Sequence, residues 1–155
     1  MIGLANAGGD TTNSIKQAVE FGITRSRSSP AMLIFLTDIH GLGLATAQGL
    51  LTESFYWDLD DSTREWTKRF LTRHKNYPTW NQAVAYSATL HFLRAMEIAK
   101  TRDGAKLVAQ MKAMPTEDPV LGKGSIREDG RKLHPMMLFQ AKAPAESKAR
   151  GIITS

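Results

Sequence analysis

Residues 3–22, GLANAGGDTTNSIKQAVEFG, decide how the chain is read. A short apolar run (Ile2, Leu4, Ala5) stops at the Gly8-Gly9 pair. A polar cluster follows (Asp10, Thr11, Thr12, Asn13), and then apolar residues recur at helical spacing at Ile15, Ala18 and Val19. Asp10 or Thr12 can accept hydrogen bonds from the free N–H groups of a first helical turn, so either is a candidate N-cap. Gly22 is the natural stop. The pattern predicts strand, turn and helix, the half-unit of a parallel α/β sheet. In such sheets ligands sit beyond the carboxyl ends of the strands, here residues 6–10. A helix N-terminus there offers bare N–H donors suited to a carboxylate or phosphate. The plain alternative is a βα turn whose glycines serve only tight geometry.

Working outward, a polar basic loop at residues 25–30 leads to the apolar run 32–36, which reads as a strand covered on both faces. That run ends in Thr37, Asp38, Ile39 and His40, again polar groups at a strand's carboxyl end. Residues 50–57 alternate loosely and are aromatic-rich, predicting a third strand. The acids at 58–61 cap a helix whose apolar face is Trp66, Phe70 and Leu71. Pro78 breaks the chain before the longest helix, residues 80–100. There Val84, Ala85, Ala88, Phe92, Ala95, Met96 and Ala99, widened by Tyr86, Leu90 and Leu93, leave a narrow polar stripe of Ser87, His91, Arg94 and Glu97. So broad an apolar arc predicts burial between elements, more than this chain can cover. A helix over 104–114 stops at Pro115. Residues 122–127 and an Asp129-Gly130 turn predict a hairpin, and 136–140 a returning strand.

A chain of 155 residues suits one core rather than two comfortable domains. Its mixed charge and ordinary apolar content predict a soluble globular protein. There is no cysteine, which excludes disulfides, thiolate metal sites and thiol nucleophiles. No apolar run reaches the ~20 residues of a membrane span. Met1 runs straight into the first strand with no basic-then-apolar leader, so the chain as written has no signal peptide and is expected to stay in the cytosol.

Four segments carry a resemblance in order. IGLANAGGDTTNSIKQAVEFGI, FLTDIHGLGLATAQGLLTESFYWD, PTWNQAVAYSATLHFLRAMEIAK and GKGSIREDGRKLHPMMLFQAK together resemble the C-terminal half of a type I periplasmic binding protein of the branched-chain amino acid class, the solute receptors of ABC importers. The resemblance implies an α/β fold of two lobes, each a parallel sheet flanked by helices, closing on a solute like a hinged clamp. It assigns residues 1–56 to part of the second lobe, 57–131 to part of the first, 132–142 to a strand returning to the second, and 143–155 to a loose tail. Tyr56, Trp57 and Asp58 fall at a hinge. Asn6, Ala7 and Gly8 match a ligand-contacting loop, and Asp38 stands near the acid that takes the ligand's ammonium group, which would be costly to leave unpaired in a closed cleft.

The implied function is a fragment of an importer's solute-binding component, holding an amino-acid-like or aromatic carboxylate solute without catalysis, cofactor or metal. Its partners are then the small solute and the transporter's permease subunits, in the periplasm for the full-length family. The first lobe's opening half is missing, so the 155 residues are expected to bind solute weakly or not at all, and a dimer through the apolar surface left exposed is a further expectation. A ligand-sensing regulatory domain of the same fold, or a non-functional truncated fragment, are the alternatives within the resemblance. Phe55, Tyr56 and Trp57 either line a cleft for a larger aromatic solute or pack a hinge.

Two rivals come from other classes. Asp38 and His40 lie two apart, a spacing found in hydrolytic and metal sites, but in an extended segment they face opposite ways and nothing completes a triad. His74, His91 and His134 are scattered and read as surface histidines. The Gly8-Gly9 turn matches neither a Walker nor a dinucleotide pattern. The net charge of +5 raises nucleic-acid binding, but the basic residues are interleaved with acids and no recognition helix is present, so no nucleic-acid partner is expected.

Overall fold

The first helix begins one residue before the polar cluster that was expected to cap it. In this computed structural model, which describes residues 3–23, 30–31, 33–53 and 55–147, α1 runs Gly9–Glu20 with Gly8 at its N-cap. No side chain caps it, so neither Asp10 nor Thr12 has that role. Thr12 N–H bonds to the Gly8 carbonyl, and Asp10 lies inside the first turn. Gly8 adopts φ 58°, which a side chain would make costly, and this lets the chain reverse from strand into helix. At the far end Gly22 is left-handed too, as a stop requires.

The chain divides into two compact units, Met1–Ser54 with Met136–Ser155, and Phe55–Pro135. In the first, Leu4 forms a parallel bridge to Ala31, and β1 (Pro30–Ala31) pairs in parallel with β2 (Leu51–Glu53). The returning strand β6, residues Leu138–Gln140, pairs antiparallel with β2. Ile15, Ile34, Ile39, Leu50 and Phe139 fill the core around these strands.

The strand expected over 32–36 is corrected. Leu33 is exposed, Ile34 is buried, and Phe35 is the N-cap of α2 (Leu36–Leu42). The Asp38 carboxylate accepts the Phe35 N–H at 2.8 Å, so an acid at the third helical position starts a helix inside an apolar run. Gly43, at φ 77°, separates α2 from α3 (Leu44–Ala47). The expected third strand shortens to β2. The basic loop 25–29, the opening residues 1–2, Met32 and the tail beyond 147 lie outside the described residues; Pro144–Glu146 form one 3-10 turn.

In the second unit α4 (Asp61–Leu71) is capped by Asp60, whose side chain accepts Thr63 N–H at 2.8 Å. Next come α5 (Trp80–Ala99), α6 (Gly104–Ala113) and an antiparallel meander of β3 (Thr116–Asp118), β4 (Gly122–Ile126) and β5 (Lys132–Leu133). Among the described residues this unit, a portion of one lobe, pairs only antiparallel. Connections this short cannot carry the crossover that a parallel pair needs. β5 keeps Lys132 and Leu133 in this unit, where the sequence reading starts the return at 132. Phe55, Trp66, Ala83, Val120 and Leu121 form its core.

The face that α5 buries also differs from expectation. Ala83, Ser87, His91 and Ala95, one turn apart, are its buried residues, while Phe92, Leu93 and Ile98 are exposed. Of the supposed polar stripe, Ser87 and His91 turn inward because they have partners there, while Arg94 and Glu97 stay exposed. Ser87 donates to the Asp118 carboxylate at 2.5 Å, and His91 Nε2 donates to the Met111 carbonyl at 2.9 Å.

Candidate functional site

The parallel pairings fix which edge of the first unit can hold a ligand. Leu4, β1 and β2 run in one direction, so the loop after Leu4 and the segment after Ala31 leave from the same, carboxyl edge. Asn6 follows the first by two residues. Its side chain is held on both sides: Thr11 Oγ1 donates to Asn6 Oδ1 at 3.0 Å, and Asn6 Nδ2 donates to Ser14 Oγ at 3.0 Å. Ser14 in turn donates to the Asp10 carbonyl at 2.8 Å. One hydrogen of the Asn6 amide has no acceptor among the described residues. Ala7 and Gly8 are exposed beside it. Helix geometry leaves the N–H groups of Gly9, Asp10 and Thr11 without an acceptor inside α1, since the first intrahelical bond is Thr12 to Gly8. The loop thus offers a fixed amide and a row of backbone donors, an arrangement that suits a carboxylate.

Asp38 is half-buried in the first turn of α2, and its carboxylate is engaged with the Phe35 N–H. Asn6 and Asp38 belong to the same edge, but each makes its hydrogen bonds within its own helix and cap. His40 is exposed near the end of α2; at about 100° per residue it lies about 200° around the helix from Asp38. The two share no site. His74 is exposed, and His134 is half-buried with its ring 5.8 Å from Trp80. His91, expected at the surface, is buried. Among the described residues no group of three or more His, Asp or Glu side chains is placed to hold a metal, and no helix is long and apolar enough to cross a membrane.

The residues assigned to the hinge lie just inside the second unit, which the chain enters at Phe55 and leaves at Pro135. Trp57 stacks on Tyr77 with centroids 4.3 Å apart and is tilted against Tyr56 at 5.7 Å. Asp58 accepts from Arg64 at 3.0 Å, tying the segment to α4. Burial, and then the neighbouring Asp58 carboxylate, push the Tyr56 phenol up to about 12, so it stays protonated through any ordinary pH. Thr11 and Ser14, which lock Asn6, were missed from the sequence. Their signal was the hydroxyl spacing after the glycine pair.

A family model described as periplasmic binding protein matches residues 1–149. None of the curated proteins matches significantly. Among solved structures, the chain is similar to a periplasmic binding protein from Burkholderia mallei, at 44% identity and a TM-score of 0.89 over 99% of this chain and 41% of that one. It is also similar to a branched-chain amino acid ABC transporter periplasmic ligand-binding protein from Burkholderia xenovorans LB400, at 36% identity and a TM-score of 0.84 over 97% of this chain and 41% of that one. A more distant likeness, at 20% identity and a TM-score of 0.69 over 89% and 39% of the two chains, is a solute binding protein of an ABC transporter from Rhodopseudomonas palustris BisB5 in complex with 3,4-dihydroxybenzoic acid. The chain therefore spans about two-fifths of the length of these relatives.

Proposed function

From the premise that this chain belongs to the periplasmic binding protein family, we propose that it forms part of the solute-binding component of an ABC importer. Its fold is a portion of the type I periplasmic binding protein fold. The solute is a small carboxylate, amino-acid-like or aromatic, received without catalysis in the periplasm and passed to permease subunits. The observation that carries this reading is the Asn6 loop: an amide fixed by Thr11 and Ser14, beside the open N-terminus of α1, at the carboxyl edge of parallel strands. That loop takes the solute's polar end. Asp38 stands on the same edge as the candidate partner for a solute ammonium, after releasing or sharing the Phe35 N–H.

Isothermal titration with leucine, a branched amide and 3,4-dihydroxybenzoate tests this, on the 155-residue chain and on any longer product of its gene. The longer product is expected to bind one class at micromolar Kd and the 155 residues far more weakly. Asn6→Ala removes both the side-chain anchor and its donor, and should weaken binding about tenfold or more, the equivalent of ~1.4 kcal/mol. Undiminished affinity in that variant would sink the loop's role. Micromolar binding by the 155 residues alone would show that they carry a complete site.

A further inference from the structure

A second ligand chemistry lies in the other unit, in a hollow of about 640 Å³ between α4 and α5. Its floor is aromatic. Trp66 is buried, and the rings of Phe70 and Tyr86 lie 5.4 and 5.3 Å from it. The rim carries Arg69, in the last turn of α4, and Arg73, two residues beyond its end. Among the described residues neither guanidinium forms an ion pair, whereas the neighbouring cations Arg64 and Lys68 are matched to Asp61 and Glu65. Gln82 also lines the hollow. Its carbonyl oxygen accepts from Thr79 N and Oγ1 at 2.9 and 2.6 Å, which leaves its NH2 as a donor. No acidic side chain lines the space. An aromatic floor with a doubly cationic rim, to which the neutral side chains of Thr72 and Gln82 and the His74 ring also contribute, selects a flat apolar body bearing a negative charge and disfavours cations. The volume falls within the range of small-molecule sites.

We propose that the hollow bounded by Trp66, Phe70, Tyr86, Arg69 and Arg73 binds a small planar organic anion of the aryl carboxylate class, separately from the Asn6 loop. The ring lies over Phe70 and Trp66, and the carboxylate meets the two guanidiniums. Two cations on the helix end also suit the helix dipole by themselves, so the test must read ligand and not fold.

The experiment titrates the 155-residue chain with benzoate, benzamide and benzylamine while following the Trp66 indole N–H by NMR. Benzoate is expected to shift that signal saturably, benzamide about tenfold more weakly, and benzylamine not at all. Arg69→Gln with Arg73→Gln should weaken benzoate at least tenfold with the backbone spectrum otherwise unchanged, and the paired Lys substitutions should restore part of it. Asn6→Ala should leave the titration unaltered, which separates this site from the proposed solute loop. The proposal is overturned by a Trp66 signal that does not saturate, or by benzoate binding that survives both Gln substitutions. It is equally overturned if a longer product of the gene no longer binds benzoate here, because the hollow would then be a seat for protein.

Discussion

Asp118 shows how much one buried side chain can hold. Its carboxylate accepts from Ser87, from the N–H groups of Val120 and Leu121 at 3.0 and 2.8 Å, and from Lys132 at 3.2 Å. It joins α5, the β3–β4 turn and β5. Burial pushes its acidity toward the neutral form, but the Ser87 bond, the two backbone N–H groups and the Lys132 charge outweigh that and leave it below the usual carboxylate range. The folded value is thus lower than the unfolded one near 3.9. The stability it gives is complete above about pH 4 and is lost as pH falls through the folded value. Urea midpoints at pH 7 and pH 3 should differ less in Asp118→Asn than in the parent, and Asp118→Ala should cost about 3 kcal/mol at pH 7 by stranding Lys132. Beside it, a Cβ on Gly124 would lie 2.1 Å from the Leu133 carbonyl oxygen, a backbone atom that cannot swing away. Gly124→Ala is expected to cost roughly 2 kcal/mol or more by thermal melt, and parent-like stability would mean that β5 yields freely. Neither role is written locally. Asp118 stands between Pro119 and an acid, in a three-residue strand that no alternation reveals, and its partner Ser87 lies 31 positions away.

Elements were more legible than their faces. The caps of α4, the Pro78 break before α5 and the Asp129-Gly130 turn are short-range signals, and each appears where the residues demand it. What failed at this scale needed distant partners. On α5 the apolar arc was too broad to choose a side. The choice is made by Asp118 and the Met111 carbonyl, which draw Ser87 and His91 inward, and by Arg94 donating to the Glu117 carbonyl. The packing gives a prediction opposite to hydropathy. Ala95, fully buried, should not tolerate Leu, because the added volume has nowhere to go; about 1–3 kcal/mol is expected. Leu93→Gln, at a half-exposed position, should change the urea midpoint little, within about 0.5 kcal/mol. The reverse ranking would put the buried face on the apolar arc after all. The strand expected over 32–36 failed for a related reason: a continuous apolar run does not say whether it pairs or caps, and the Asp38 carboxylate decides it from three residues downstream.

For the molecule as a whole, connectivity makes the two units unequal. Phe55–Pro135 is one continuous stretch, whereas the other unit is assembled from both ends of the chain and closes when β6 pairs with β2 across the whole of that stretch. While the continuous unit is folded, it brings those ends within reach. Once it unfolds, the same pairing must close a long flexible loop and pay its entropy. The assembled unit can therefore open alone, but it gains nothing by outlasting the other. Its described strands are only two or three residues long, which also argues for early opening. The sequence supplies its own reporter, because all three tryptophans, Trp57, Trp66 and Trp80, lie in the continuous unit. Tryptophan fluorescence follows that unit alone, while far-ultraviolet circular dichroism follows the helices of both. In a urea titration the dichroism is expected to start falling before the fluorescence does, so that the two curves fail to superimpose. Coincident curves would mean that the units unfold as one. A fluorescence change that came first would mean that the continuous unit depends on the assembled one, and the loop-closure argument would be wrong.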